Sequence, residues 1–212
     1  MAGTGNPRST ILMYSDARAL SWEGLCSHRV RVVLGEKNIP FEVVDVAEGE
    51  INDDLLELNP QGLCPTLLDR DLALYDSRVI IDYLDERYPH PPFMPIDPVS
   101  RARTRLALYR IESDWYSLLP NVPNQALNSD EAGKALAESL AAANDVFAAM
   151  PFFLGEEYSV LDAALAPLLW RLSSYGIVLP ISASAVEKYA NKLFDRPGFK
   201  ASLSNMERDL VQ

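Results

Sequence analysis

Tyr88-Pro89-His90-Pro91-Pro92-Phe93-Met94-Pro95-Ile96-Asp97-Pro98 places five prolines in eleven residues. Each proline fixes φ and removes a backbone donor, so no long helix or central strand runs through the stretch. It reads as a stiff, extended linker over residues 89–100. It divides the chain into 11–88 and 101–212, behind a polar tail at 1–10 that is expected to be disordered. For 212 residues, two domains of about 100 each are a natural division.

Upstream of the linker, strand and helix patterns alternate. Ile11-Leu12-Met13-Tyr14 is a short apolar run ending in Ser15-Asp16, a buried strand running into a loop. From Cys26 the period becomes helical through Val30, Val33 and Leu34, with Ser27 as a cap and Asn38 and Pro40 as the stop. Phe41 to Val46 reads as a second strand, parallel to the first across the helical crossover. A short helix at Asp53 to Leu58 ends at Asn59-Pro60-Gln61-Gly62. Residues 64–68 and 72–75 make a hairpin about Asp69-Arg70-Asp71, and Asp76-Ser77 opens a helix carrying Val79, Ile80, Tyr83 and Leu84. The order βαβ, short helix, ββα is a thioredoxin-like α/β layout. Downstream the strand signals vanish. Helices are expected over 101–119, 130–150, 159–173, 183–195 and 197–210, an all-helical second domain. Trp115, Tyr116 and Trp170 lie on its apolar stripes and are expected to fill its core. His28, just inside the first helix, is expected at the surface or as a cap.

Composition narrows the functions. Net charge is −11, which opposes a broad phosphate-binding surface and argues against direct nucleic-acid binding. Residues 1–88 hold 8 basic and 16 acidic side chains, and 101–212 hold 11 and 13, so the acid is concentrated in the first half. It serves solubility or meets a basic protein surface. Arg101, Arg103, Arg105 and Arg110 have no acid among them, and basic charge at a helix start opposes the helix dipole. An acidic partner from the first domain or from a second subunit is therefore expected. Two cysteines are too few for a disulfide framework and the wrong set for zinc, so no metal is expected. No apolar run nears the roughly 20 residues of a membrane span, and no leader pattern opens the chain. A reducing cytoplasmic setting is expected.

Three local motifs carry a mechanism. Ser159-x-x-Asp162 is a capping box with Asp for Glu, a folding device for an apolar helix that contains Pro167. Cys64-Pro65 opens a strand, and a cis bond there would turn the backbone of Cys64 toward a cleft where an extended peptide could pair with it. Asp76-Ser77 at a helix start offers N–H groups and a hydroxyl to a carboxylate, and reads equally well as a plain cap.

In this order along the chain the motifs resemble the glutathione-transferase superfamily over residues 11–210. Ser27 to Lys37, Tyr83 to Pro95, Arg110 to Tyr116 and Leu165 to Leu172 resemble the stringent starvation protein A family within it. The resemblance implies a homodimer that binds RNA polymerase holoenzyme with its housekeeping sigma factor under starvation or acid stress. It places the partner-binding surface at Pro89, His90 and Pro91. Cys64, Pro65, Asp76 and Ser77 would be a residual glutathione-type pocket, with no required cofactor and weak glutathione binding at most.

A working transferase activates the glutathione thiol with a hydroxyl or a cysteine near the end of the first strand. Alignment through Arg29-Val30-Arg31 puts that position at Gly24, which has no side chain. Cys26 is two positions further on and is expected in the core. Tyr14, Ser15 or Ser21 could fold back from the loop 15–25, and Cys64 stands as a second thiol beside the cleft. The competing function is therefore a glutathione transferase or glutathione-dependent thiol reductase.

Overall fold

The computed structural model describes residues 10–120 and 129–211; the tail expected at 1–10 lies outside these, save Thr10. The first half runs β1 (Ile11–Asp16), α1 (Trp22–Glu36), β2 (Phe41–Val46), α2 (Asp53–Leu58), β3 (Thr66–Asp69), β4 (Leu72–Tyr75) and α3 (Ser77–Arg87). The sheet order is β2-β1-β3-β4. β1 and β2 are parallel, with Ile11 opposite Phe41, and β3 is antiparallel to both β1 and β4. Alternation along β1 sends Ile11 and Met13 into the main core, and Leu12 and Tyr14 into a smaller one with Leu55 and Cys64.

The second half consists of α4 (Pro98–Asp114), α5 (Ser129–Ala142), α6 (Asn144–Ala149), α7 (Val160–Arg171), α8 (Ser184–Phe194), α9 (Pro197–Ser202) and α10 (Asn205–Arg208), with short 3-10 turns between some of them. Among the described residues, its only β-pairing is the isolated bridge between Phe152 and Gly155. The capping box forms at α7: the Asp162 carboxylate accepts from Ser159 N (2.8 Å) and the Ser159 hydroxyl accepts from Leu161 N (3.2 Å). Asp162 also takes Phe153 N and the Tyr189 hydroxyl, so it ties three segments together. Pro167 lacks an N–H, and the Tyr116 hydroxyl donates to the neighbouring carbonyl of Ala164.

Several boundaries differ from expectation. α1 starts at Trp22 and its cap is Ser21, which accepts from Gly24 N; Ser27 is buried mid-helix and accepts from Asp16 N. α1 is buried on every side from Gly24 to Leu34, so it lacks the two-faced pattern that marks a surface helix. α4 begins at Pro98, not Arg101, because Asp97 caps it by accepting from Ser100 N. The helix expected over 130–150 breaks at Ala143, and the one over 197–210 breaks at Leu203 and restarts with a second capping box, Ser204 and Glu207.

That restart drives Glu207 into the joint between the halves. Its carboxylate meets Arg31 of α1 (2.6 Å) and Arg171 of α7 (2.6 Å), all three side chains being buried. His28, expected at the surface, is fully buried among them. Its Nδ1 accepts from Arg171 (2.8 Å) and its Nε2 donates to Ser202 Oγ (3.0 Å), whose own proton goes to Phe199 O. That arrangement uses the neutral ring. Burial takes the His28 pKa well below the usual imidazole range; the nearby Glu207 carboxylate pulls against this, and Arg171 and Arg31 push the same way as burial. Burial also resists charge on Glu207, but Arg31, Arg171 and the Ser204 N–H act against it, and its pKa is lowered.

Candidate functional site

The cleft implied by Cys64-Pro65 forms, and the protein fills it with its own groups. The Cys64–Pro65 bond is cis. The Cys64 N–H, the donor an extended peptide ligand would use, instead donates to Glu23 Oε2 at 3.0 Å. Glu23 stands in the first turn of α1, where the helix dipole favours an acid. The remaining space, about 180 Å³, is lined by Asp16, Glu23, Glu48, Glu50 and a single cation, Arg18. Arg18 is itself engaged, pairing with Asp16 and Glu48 at 2.7 Å each. Such a lining repels an anionic peptide. Burial, then the Glu23 and Asp16 charges, push the Cys64 thiol up to about 12, so it is protonated at neutral pH.

The start of α1 has no room for an activating group. A Cβ at Gly24 would stand 1.9 Å from the Arg18 carbonyl oxygen, so the turn 17–21 lies directly on the helix. Tyr14 and Ser15 are buried, and the Ser15 hydroxyl accepts from Arg31. Ser21 donates to Asp16 while capping the helix. Burial pushes the Cys26 thiol up to about 11, against the pull of Arg29 and a hydrogen bond with Ser77. Asp76 and Ser77 are occupied as well. Asp76 sits at φ +70, accepts from Arg78 N at 2.8 Å and pairs with the Arg78 guanidinium at 2.9 Å. The Arg78 hydrogen bond holds the Asp76 carboxyl below its usual range. Ser77 is buried.

The linker presents the opposite arrangement. Pro89, His90, Pro91 and Pro92 are all exposed, and beneath them lies the buried ammonium of Lys37. It bonds Asp85 Oδ1 (2.8 Å), the Tyr88 carbonyl (2.8 Å) and the Pro91 carbonyl (2.6 Å), which uses all three of its donors. The Asp85 carboxylate accepts in turn from Phe93 N (2.8 Å) and Met94 N (3.1 Å). The Phe93 ring lies 4.4 Å from the same ammonium. One ion pair therefore grips the chain before and after His90, and the turn Pro89-His90-Pro91 stands out as a rigid prominence.

Neither Lys37, Asp85 nor Glu23 stood out from the sequence. One signal was present: Lys37 is the only lysine before Lys134 in a region where every other base is arginine. A compact ammonium suits a cluster of carbonyls better than a planar guanidinium does. Of the arginines on α4, Arg101 pairs with Glu86 (3.1 Å) and Arg105 reaches Asp82 (4.0 Å), so acidic partners come from α3 of the same chain.

The chain matches the family of glutathione S-transferase N-terminal domains over residues 25–92 and that of the C-terminal domains over 125–191. It is similar in structure to the tau class glutathione S-transferase of mango, Mangifera indica, with a TM-score of 0.75 and 26% identity, covering 95% of this chain and 96% of that one. It is 43% identical to the stringent starvation protein A homolog of Haemophilus ducreyi, over 96% of this chain and 94% of that protein. The stringent starvation protein A homolog of Coxiella burnetii is also 43% identical, over 96% of both chains. A glutathione-transferase fold whose cleft is filled from within, together with these relatives matched along nearly their whole length, places the chain in the stringent starvation protein A family.

Proposed function

We propose that this protein is a cytoplasmic, RNA polymerase-associated regulator of the starvation or acid-stress response. It acts as a homodimer, by protein contact and without transferase turnover. The observation that carries this reading is the exposed Pro89-His90-Pro91 prominence gripped from beneath by Lys37 and Asp85. A surface whose backbone is already fixed loses little conformational entropy on binding, which suits a contact site. The cleft supports the same reading by its chemistry: both thiols are held protonated, and the Cys64 N–H is already bonded to Glu23. A transferase or thiol reductase needs the reverse of both. Glutathione is at most a weak ligand here.

Tyr75 at the end of β4, Val79 on α3, and Leu106 and Tyr109 on α4 are large apolar side chains left exposed, and they suit a two-fold contact between copies. The test is alanine at 89, 90 and 91 together. The triple variant should keep its dimerisation and melting temperature and lose most of its co-purification with core polymerase and sigma factor. Holoenzyme binding equal to the parent's would sink the contact reading.

A further inference from the structure

β2 is an edge of the sheet, and its outer side is open among the described residues. The hydrogen bond from Ala17 N to Val46 O fixes which way its backbone points. Val46, Val44 and Glu42 turn their peptide groups toward β1, so Phe41, Val43 and Asp45 turn theirs outward. No described residue pairs with those outward groups. The open stretch has defined ends. Pro40 before it has no N–H. Ala47 after it is closed in a turn: its carbonyl accepts from Glu50 N (3.1 Å) and its N–H donates to the Glu50 carboxylate (3.0 Å).

An open strand edge is a template for pairing with another chain, and proteins guard such edges with charge. Here the guard has one sign. Residues 38–61 carry seven acidic side chains and no basic one. Among the described residues, the one cation that pairs with this segment is Arg18, on Glu48. Val44 and Val46 pack into the smaller core with Leu55, so Glu42 shares their face of the sheet. Phe41 packs against the main core, so Val43 and Asp45 share the other face. Glu42 and Asp45 are exposed, and neither has an ion pair or hydrogen bond among the described residues. Val43, between them, is 40% exposed although it is apolar. A second copy of this chain is a poor occupant, since two β2 edges would set carboxylates against carboxylates.

We infer that the β2 edge is a docking site for an extended, basic protein segment, which adds to the sheet as a fifth strand. The segment sets lysine or arginine beside Glu42 and Asp45 and a β-branched residue beside Val43. Its backbone pairs with the outward N–H and C=O groups of Phe41, Val43 and Asp45. Main-chain bonds supply affinity in such an addition, and the acidic side chains choose the partner. The site shares no residue with the linker prominence and does not depend on the contact reading.

The probe is a synthetic peptide alternating lysine and valine, titrated against the full chain at low salt and followed by amide hydrogen exchange. Binding should slow exchange at Phe41, Val43 and Asp45 about tenfold or more. Glu42, Val44 and Val46, already bonded to β1, should not change. The same peptide N-methylated throughout keeps its charge and loses its donors, and should bind at least about tenfold more weakly. The double change Glu42→Lys, Asp45→Lys should weaken binding of the unmethylated peptide about tenfold at low salt and less at high salt. Val43→Pro removes one outward donor, at an edge position that tolerates proline, and should weaken binding about fivefold at any salt. Equal binding of the N-methylated peptide, with exchange at 41, 43 and 45 unchanged, would mean adsorption by charge alone and overturn the inference. So would a failure of the unmethylated peptide to bind. Protection of those three amides that grows with protein concentration and needs no peptide would assign the edge to self-association and overturn it too.

Discussion

The Cys64 cleft and the Pro89–Pro91 prominence use one device to opposite ends. In each, a charged side chain of α1 or its C-cap bonds backbone groups of another segment: Glu23 takes the Cys64 N–H, and Lys37 takes the carbonyls of Tyr88 and Pro91. In the cleft, the bonded group is the one a ligand would need, so the site is closed. In the linker, the bonded groups face inward and no partner would use them, so the outer surface is left free and rigid. The same fold can therefore lose one site and gain another with a few side chains. What decides is which side of the backbone is satisfied internally.

The largest expected effect comes from breaking the grip on the linker. Lys37→Met leaves Asp85 buried without its cation, and removing one member of a buried ion pair costs about 3–5 kcal/mol. Asp85 keeps its two amide donors, so about 3 kcal/mol, the lower end of that range, is expected. Urea unfolding measures the loss. Holoenzyme binding should fall with it even where the variant remains folded, because the loop around His90 is no longer pinned. A variant that is destabilised yet binds as the parent does would show that rigidity of the prominence is irrelevant, and the contrast with the cleft would be empty.

A smaller effect is expected on acidification, and it loosens both regions at once. His28 lies in the joint that holds the halves together, packed against Arg171, Ser202, Glu207 and Arg31. Its folded pKa lies well below the ordinary 6.5, so the unfolded chain takes up a proton that the folded one refuses. Stability is therefore whole above about pH 6.5 and falls as the pH drops below it, by up to about 1.4 kcal/mol per unit. Glu207 titrates far lower and its contribution is intact in this window. Unfolding free energies at pH 7.5 and 5.5 should differ by about 1–1.5 kcal/mol from His28 alone. His28→Gln, which can still accept from Arg171 and donate to Ser202, should flatten that slope whatever it does to stability at neutral pH. An equal slope in the variant would place the acid sensitivity elsewhere.

The sequence made the elements legible where local chemistry settles them. The four strands are apolar runs bounded by proline, asparagine or acidic turns, and β2 and β4 form at the residues expected. The proline density of 89–98 required an extended linker. What escaped was fixed by burial. α1 is enclosed on all sides, so Trp22 to Leu25 gave no periodic signal and His28 looked like a surface residue. At the cleft, Cys64-Pro65 and Asp76-Ser77 were readable as motifs, but the side chains that occupy them were not. Glu23 reaches Cys64 across forty-one positions, and Lys37 reaches Pro91 across fifty-four. No local pattern encodes a hydrogen bond of that range, and only the lone lysine among arginines hinted at one.

The smallest effect tests the comparison most directly. Glu23→Ala would free the Cys64 N–H and remove one of the four carboxylates lining the cleft. If the cleft is closed only because Glu23 stands in for a ligand carbonyl, glutathione binding should strengthen. The gain is one hydrogen bond and one less repulsion, about 1 kcal/mol or roughly fivefold in affinity. Glu23 also lies in the first turn of α1, where losing an acid costs about 0.3–1 kcal/mol of helix stability, so the variant remains folded. Turnover should stay at the uncatalysed rate. Gly24 still abuts the Arg18 carbonyl, and no hydroxyl or low-pKa thiol is brought to the glutathione sulfur. Calorimetry with reduced glutathione reads the first outcome and an aryl-halide conjugation assay the second. Affinity unchanged from the parent would mean that Asp16, Glu48 and Glu50 exclude the ligand without Glu23. Turnover restored by this one change would mean that the chain retains a transferase's activating group, and that the cleft and the prominence are both working sites.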